Sequence, residues 1–246
     1  MLIPSYNTGA IVLQTVAEAR RVWQPVWVVV DGSTDGTDEA LIKLVQRDAH
    51  LNVMVLPCNQ GKGAAVLHGL RAAAAAGYSH ALVMDADGQH PAAKIPEFMA
   101  RSQANPHALI LGRPIFDRTA PIERVLWRKM SNFWVHVETL RSGVGDSLFG
   151  FRVYPIEPLL AIMERQRWMR RFDFDAEAAV RLAWHGVRII NIAVPVKYLS
   201  AEEGGVSHFR YVRDNLLLTW MHVRLVFEFL LRAPLLIARR LRSSRR

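Results

Sequence analysis

Two aspartates stand one residue apart in "VMDADGQHP" (residues 83–91), at the end of an apolar run, and another acid ends the apolar run of "VVVDGSTDGT" (residues 28–37). On an extended strand end, residues i and i+2 project from one face. Asp85 and Asp87 would then aim at one point while Ala86 faces away. Carboxylates that close repel each other unless a cation fills the gap. A divalent cation held by a few carboxylates, with water and phosphate oxygens in its other positions, removes the repulsion and makes a place for a diphosphate. Gln89 offers a neutral oxygen two residues further on. The plainer reading of the same stretch is a solvated turn with Asp as a helix cap.

The segments that must position these acids alternate in type. "LIPSY" reads as a short strand, "GAIVLQTVAEARR" as a helix, and the β-branched "VWVVVD" as a strand buried on both faces. Next come "STDGTDEALIKLVQRD", opened by Ser/Thr/Asp capping chemistry, the strand "NVMVLP", a Gly-Lys-Gly turn, the helix "AAVLHGLRAAAAAG" and the strand "HALVMDAD". This alternation predicts an α/β domain with a mostly parallel sheet, whose ligands bind beyond the carboxyl ends of the strands. Both acid-bearing segments fall at such ends.

A chain of 246 residues, 51% hydrophobic and 22% charged, has the size and composition of one globular catalytic domain. The single Cys58 excludes a disulfide framework and a cysteine-rich zinc site, and points to a reducing compartment. With no signal peptide visible after Met1, a cytoplasmic protein is expected. The first strand begins almost at Met1, which leaves a shortened start open.

The net charge of +9 is unevenly spread: from Gly205 onward nine arginines face only Asp214 and Glu228, a local excess of +7. No apolar stretch there approaches the roughly 20 residues needed to span a bilayer. Arg224, Glu228 and Arg232 recur every four positions, so residues 212–246 read as an amphipathic helical extension of a domain ending near 211. It would either pack on its own domain behind a solvated charged stripe or lie among lipid head groups, and the terminal "ARRLRSSRR" favours the membrane surface. No nucleic-acid-binding signature accompanies the charge, so nucleic acid is not an expected partner. The stretch "APIERVLWRKMSNFWVHVETL" (residues 120–140) reads as a helix bordering an acceptor groove, with Trp127, Phe133 and Trp134 expected in the core.

Six stretches carry a resemblance: "IPSYN", "VVVDGSTDGT", "NQGKGAAVLHGL", "VMDADGQHP", "GDSLFGFRVYP" and "FDFDAEAAVRLAWHGVRIINIAVPVKY". In this order they resemble family 2 glycosyltransferases, most of all the branch of dolichyl-phosphate mannosyltransferases and other polyprenyl-phosphate glycosyltransferases. The resemblance implies a GT-A, Rossmann-like nucleotide-diphospho-sugar transferase fold. It also implies a divalent metal (Mg or Mn), a UDP- or GDP-linked sugar as donor, inversion at the anomeric carbon, and a lipid-linked or polyprenyl-phosphate acceptor at the cytoplasmic face of the membrane. A soluble transferase with a saccharide or protein acceptor, or a nucleotide-sugar-binding protein without turnover, is the alternative.

By the same resemblance, Pro4, Ser5, Tyr6 and Asn7 form the nucleotide-contacting first loop, Asp31 holds the nucleoside, and Lys62 and Gly63 lie beside base and ribose. Asp85-Ala86-Asp87 is similar to the Asp-X-Asp motif, and Gln89 to the glutamine that joins it at the metal. Asp175 is the first choice for a base toward a hydroxyl acceptor, with Glu177 beside it and Asp146 matching a further family acid. The plainer reading puts Asp175 and Glu177 on the polar face of a helix. An ionised phosphate acceptor needs no base, and Arg152, His208 and Arg210 fall where relatives hold phosphate. His185, just before Gly186, is expected to serve a helix C-terminus. Two departures stand out: Val30 precedes Asp31 where many relatives have a second acid, and Phe174 stands where a glutamate would be.

Overall fold

The computed structural model describes residues 1–116, 122–196 and 210–243; His208 lies outside them. Strands and helices alternate: β1 (Leu2–Ser5), α1 (Ala10–Val22), β2 (Val26–Asp31), α2 (Thr37–Val45), β3 (Leu51–Leu56), α3 (Lys62–Ala75) and β4 (His80–Val83). The second half runs α4 (Ile95–Gln103), β5 (Ala108–Ile115), α5 (Ile122–Glu138), β6 (Arg152–Pro155), α6 (Ile156–Arg165), α7 (Phe174–Trp184), β7 (Arg188–Pro195) and α8 (Tyr211–Ser243).

These strands form one sheet in the order β3-β2-β1-β4-β6-β5-β7. All pairs are parallel except those of β6, which runs antiparallel to both β4 and β5. In β2 the side chains alternate between two cores. Val26, Val28 and Val30 pack with Val12 and Val16 of α1 on one face, while Val29 joins Val66 and Leu70 of α3 on the other. A strand that must satisfy apolar layers on both sides has no polar position until its end, and that position is Asp31. Chain order reverses between β1 and β4, so the carboxyl ends of β1, β2 and β4 open a crevice at a topological switch point.

Two local expectations change. β4 stops at Val83, so Asp85 and Asp87 sit in the turn that follows rather than on extended strand. Gly88, with φ of 72°, reverses that turn, and Asp87 Oδ1 accepts the Gln89 N–H at 3.0 Å, an Asx-type closure. Lys62, expected in a loop, is the first residue of α3.

The stripe of α8 expected to face solvent instead faces the protein. Arg224 Nη2 meets Glu177 Oε2 at 2.9 Å, and Arg181 of α7 reaches Glu228 through two hydrogen bonds of 2.9 and 2.7 Å. Arg224 also lies 4.3 Å over the Trp168 ring and Arg232 5.1 Å over Trp184. Leu218, Met221 and Leu225 are buried beside these pairs. With the inner face taken by ion pairs, the outer face carries the large apolar residues: Leu216, Trp220, Phe227, Leu230 and Leu231 are all exposed, Leu231 at 86%. Trp127, Phe133 and Trp134 of α5 are exposed too, at 43%, 59% and 38%, which corrects their expected place in the core. Among the described residues no helix is long and apolar enough to cross a membrane.

Candidate active site

Asp31 ends β2 with its side chain nearly buried, and its own chain holds both oxygens. Oδ1 accepts the Gln60 N–H at 2.9 Å; Oδ2 accepts the Gly61 N–H at 2.7 Å and Asn59 Nδ2 at 3.1 Å. Gly61 has φ of 103° and a Cβ there would strike the Arg170 carbonyl, so only glycine brings this N–H onto the carboxylate. Burial raises the Asp31 pKa against these hydrogen bonds.

The first loop is stapled to the second. Asn7, at a positive φ of 44°, donates its N–H to Ser33 Oγ at 3.0 Å and accepts the Thr34 N–H at 2.7 Å, while Ser5 and Thr8 share a hydroxyl hydrogen bond of 2.6 Å. Pro4, Ser5 and Tyr6 line the cavity, and Asn7 fixes the loop that carries them.

Between Asp85 and Asp175 stands one ammonium group. Lys62 Nζ is 2.5 Å from Asp85 Oδ1 and 2.6 Å from Asp175 Oδ2. Burial is the largest influence on the Asp85 pKa and would raise it, but the charge and hydrogen bond of Lys62, with the fields of His90 and Arg152, together hold the carboxyl below its ordinary range. Among the described residues Asp87 has no such partner; burial and then the charge of Asp85 push its pKa up. His90, absent from the residues expected at the site, accepts the Asp85 N–H on Nδ1 at 3.2 Å. Its ring lies 4.5 Å from Phe149 and 5.4 Å from Phe151, centroid to centroid, and burial lowers its pKa, so it supports the motif as a neutral imidazole. Its position three residues beyond Asp87 was the available signal.

Among the described residues, no three His, Cys, Asp or Glu side chains converge into a metal cage. Two carboxylates and the Gln89 amide instead suit a cation shared with phosphate oxygens, the habit of Mg²⁺ at nucleotide sites. Burial first, and then the neighbouring charge of Asp85, oppose ionisation of Asp87, a cost that such a cation would relieve. On that ground the residues fit the metal.

Asp85, Ala86, Asp87, Gln89, Lys62, Asp175 and Arg210 all line one cavity of about 710 Å³. It runs from Pro4 and Asp31 past the aspartates to Trp127, Met130 and Trp134 of α5 and Val223, Val226 and Phe227 of α8. Arg128, Arg171 and Arg213 add positive charge to its walls, cations that the motif reading passed over because they lie outside the conspicuous stretches. Asp175 Oδ1 is buried without a hydrogen-bond partner, its other oxygen being held by Lys62.

Four expected residues stand elsewhere. Arg152 is wholly buried; it donates to the carbonyls of Phe149 at 2.7 Å, Ser147 at 2.7 Å and Asp175, and so ties the β6 entry to α7 rather than meeting phosphate. Glu177, fully buried, faces Arg181 and Arg224, away from the cavity. Asp146 is bound by Arg128 at 2.6 Å and by the N–H groups of Leu148 and Phe149, which makes it the holder of a cavity arginine. A Cβ on Gly63 would strike Phe174 Cβ at 2.8 Å, so Gly63 serves close packing of α3 on α7. His185 accepts its role at the α7 terminus, with Nδ1 2.8 Å from the Arg181 carbonyl.

The family model described as "Glycosyl transferase family 2" matches residues 1–159. The chain belongs to glycosyl transferase family 2. This family 2 chain is 28% identical to dolichyl-phosphate beta-glucosyltransferase ALG5D of Trichomonas vaginalis over 188 residues, 70% of the chain and 54% of that relative. It therefore spans about half the length of the Trichomonas protein. Polyprenol monophosphomannose synthase of Mycolicibacterium smegmatis is 27% identical over 83% of the chain and 78% of its own length. For undecaprenyl-phosphate mannosyltransferase of Micrococcus luteus the values are 27%, 82% and 84%. Among solved structures, S. aureus TarS 1-349 in complex with UDP-GlcNAc superposes with a TM-score of 0.57 at 14% identity, covering 92% of this chain and 65% of that one. Mannosyltransferase PcManGT from Pyrobaculum calidifontis, in complex with GDP-Man and Mn²⁺, gives 0.56 at 17% identity over 81% and 56%. These likenesses establish the GT-A fold.

Proposed function

We propose that this protein transfers a sugar from a UDP- or GDP-linked donor to a lipid-linked, polyprenyl-phosphate-type acceptor at a membrane surface, with inversion at the anomeric carbon. The observation that carries the reading is the single cavity that joins Asp31 and the Asp85/Asp87 pair to the apolar wall of α5 and α8. A sugar nucleotide alone would not need Trp127, Met130, Trp134 and Phe227; a lipid chain beside its phosphate would.

In this reading Pro4, Ser5, Tyr6 and Asp31 receive the nucleoside, and Asp85, Asp87 and Gln89 would hold a divalent metal, which would supply charge neutralisation on the diphosphate. An acceptor phosphate oxygen attacks the anomeric carbon; the bond from that carbon to the diphosphate oxygen breaks, and the electron pair leaves with the nucleoside diphosphate. The acceptor is already ionised, so no base is required, and Arg128, Arg210 and Arg213 hold its charge in line. Asp175 is the group we assign to take a proton if the acceptor is a hydroxyl. The extension from residue 212 supports the membrane reading through its outward apolar face and terminal arginines. A cytoplasmic face of the membrane and a peripheral attachment follow from the same reading, as does independence from nucleic acid.

The test is a screen of radiolabelled UDP- and GDP-sugars against polyprenyl phosphate in vesicles and against soluble saccharides. Label entering the lipid fraction alone is expected. Transfer confined to saccharides, or donor bound and never consumed, would overturn the assignment.

A further inference from the structure

Lys62, Asp85, Gly150 and Asp175 come from four separate segments and meet at one ammonium group. Its two contacts, 2.5 and 2.6 Å, press the ammonium directly against both carboxylates, and the side chain is 13% exposed. Room for it is made by Gly150: a Cβ there would lie 2.6 Å from Lys62 Nζ and closer still to an Asp85 oxygen. The chain thus keeps a seat for a cation on the first acid of the Asp-X-Asp pair and fills that seat itself.

We propose that Lys62 is a positioning residue acting as a built-in counter-cation, which holds Asp85 and Asp175 in the donor-free protein and competes with the divalent metal for Asp85. The inference rests on the metal reading of the Asp85/Asp87 pair. An ammonium is a compact point charge with three donors on a flexible stem, so it can leave one carboxylate and keep the other. Two cations on one carboxylate repel each other. The metal therefore binds weakly until donor phosphates arrive to add negative charge, and Lys62 then withdraws toward Asp175. Asp175 is suited to keep it, since among the described residues no other side chain meets its carboxylate and Oδ1 is unpartnered. The arrangement makes metal and donor binding cooperative without a moving domain, because each lowers the cost of displacing the same ammonium.

The experiment measures Mn²⁺ binding to the full chain by the paramagnetic resonance of free Mn²⁺, without nucleotide and at one pH. Lys62→Met is expected to bind Mn²⁺ at least tenfold more tightly than the wild type, Lys62→Arg to stay near the wild type, and Asp87→Ala to lose binding. Lys62→Gln keeps a hydrogen-bond donor in the seat and is expected to shift in the same direction, which covers a Met variant that does not fold. A purely structural lysine would leave the Mn²⁺ affinity unchanged or weaken it, and either result in a folded variant overturns the proposal. Wild type that binds no Mn²⁺ while Lys62→Gln binds supports it. Absence of binding in the wild type and every Lys62 variant overturns the metal reading itself and the inference with it.

Discussion

Glu177 Oε2 accepts from Arg224 Nη2 at 2.9 Å across the boundary between α7 and α8, while Glu177 Oε1 accepts from Arg181 Nε at 2.8 Å. The carboxylate has none of its side chain exposed. Removing one partner of such a network leaves buried charges uncompensated, at a cost of about 3–5 kcal/mol. Glu177→Ala should therefore lower the unfolding free energy by about that amount in urea titration, with donor affinity of the folded fraction unchanged. A catalytic base would behave in the opposite way, losing turnover while the fold persisted.

The outward face of α8 makes a different prediction, because Leu230 and Leu231 on it lie outside the cavity lining. Leu230 and Leu231 are exposed at 61% and 86%. Inserting two leucines into an apolar layer is worth about 3–6 kcal/mol. Leu230→Glu with Leu231→Glu should cut co-sedimentation with anionic vesicles at least a hundredfold and move the stability by no more than about 0.5 kcal/mol. Added salt should weaken the wild-type association, as screening of the terminal arginines requires.

Burial and the neighbouring Asp85 raise the Asp87 pKa in the folded state. A carboxyl with a raised folded pKa binds more protons folded than unfolded between its two pKa values, so stability falls as pH rises through that window. At neutral pH the protein carries the full penalty. Asp87→Asn removes it and should raise the melting temperature by roughly 2–4 °C for each kcal/mol of relief, a gain that fades as the pH drops toward the ordinary carboxylate range near 4. Scanning calorimetry of both proteins from pH 4 to 8 checks the sign, and a melting temperature lowered by the substitution would contradict the charge assignment. The same protonation should weaken metal binding on acidification.

Arg152 gives a prediction about architecture. Its guanidinium satisfies carbonyls on both sides of β6 and also reaches the Tyr154 hydroxyl at 3.3 Å. Arg152→Met leaves those acceptors buried and unpaired, at about 1–3 kcal/mol each. Loss of soluble, folded protein is expected, read by near-ultraviolet circular dichroism; a folded variant with a raised KM for acceptor alone would restore Arg152 to the phosphate site.

Much of this arrangement was legible in the amino-acid order. The run Val26–Asp31 could only be a strand covered on both faces, and the acid at its end had to emerge at the crevice. Asp85 and Asp87 were readable as a pair, although their approach depends on a turn with a left-handed glycine rather than on strand geometry. The direction of α8 was not legible: a repeat of Arg224, Glu228 and Arg232 looks the same whether it meets water or meets Glu177 and Arg181, and only the partner helix decides. Arg152 misled for a related reason, since a motif position shows a charge without showing that backbone carbonyls consume it. The Lys62 contacts join residues 62, 85 and 175, a separation over which local patterning carries no information.

The most direct test of the account is transfer of labelled sugar from nucleotide donor to polyprenyl phosphate in vesicles, comparing wild type, Asp87→Ala and wild type with a chelator. The account predicts transfer by the wild type and a loss of at least a hundredfold in the other two, restored by Mg²⁺ or Mn²⁺ only after chelation. Undiminished transfer by Asp87→Ala and by the chelated protein would contradict it.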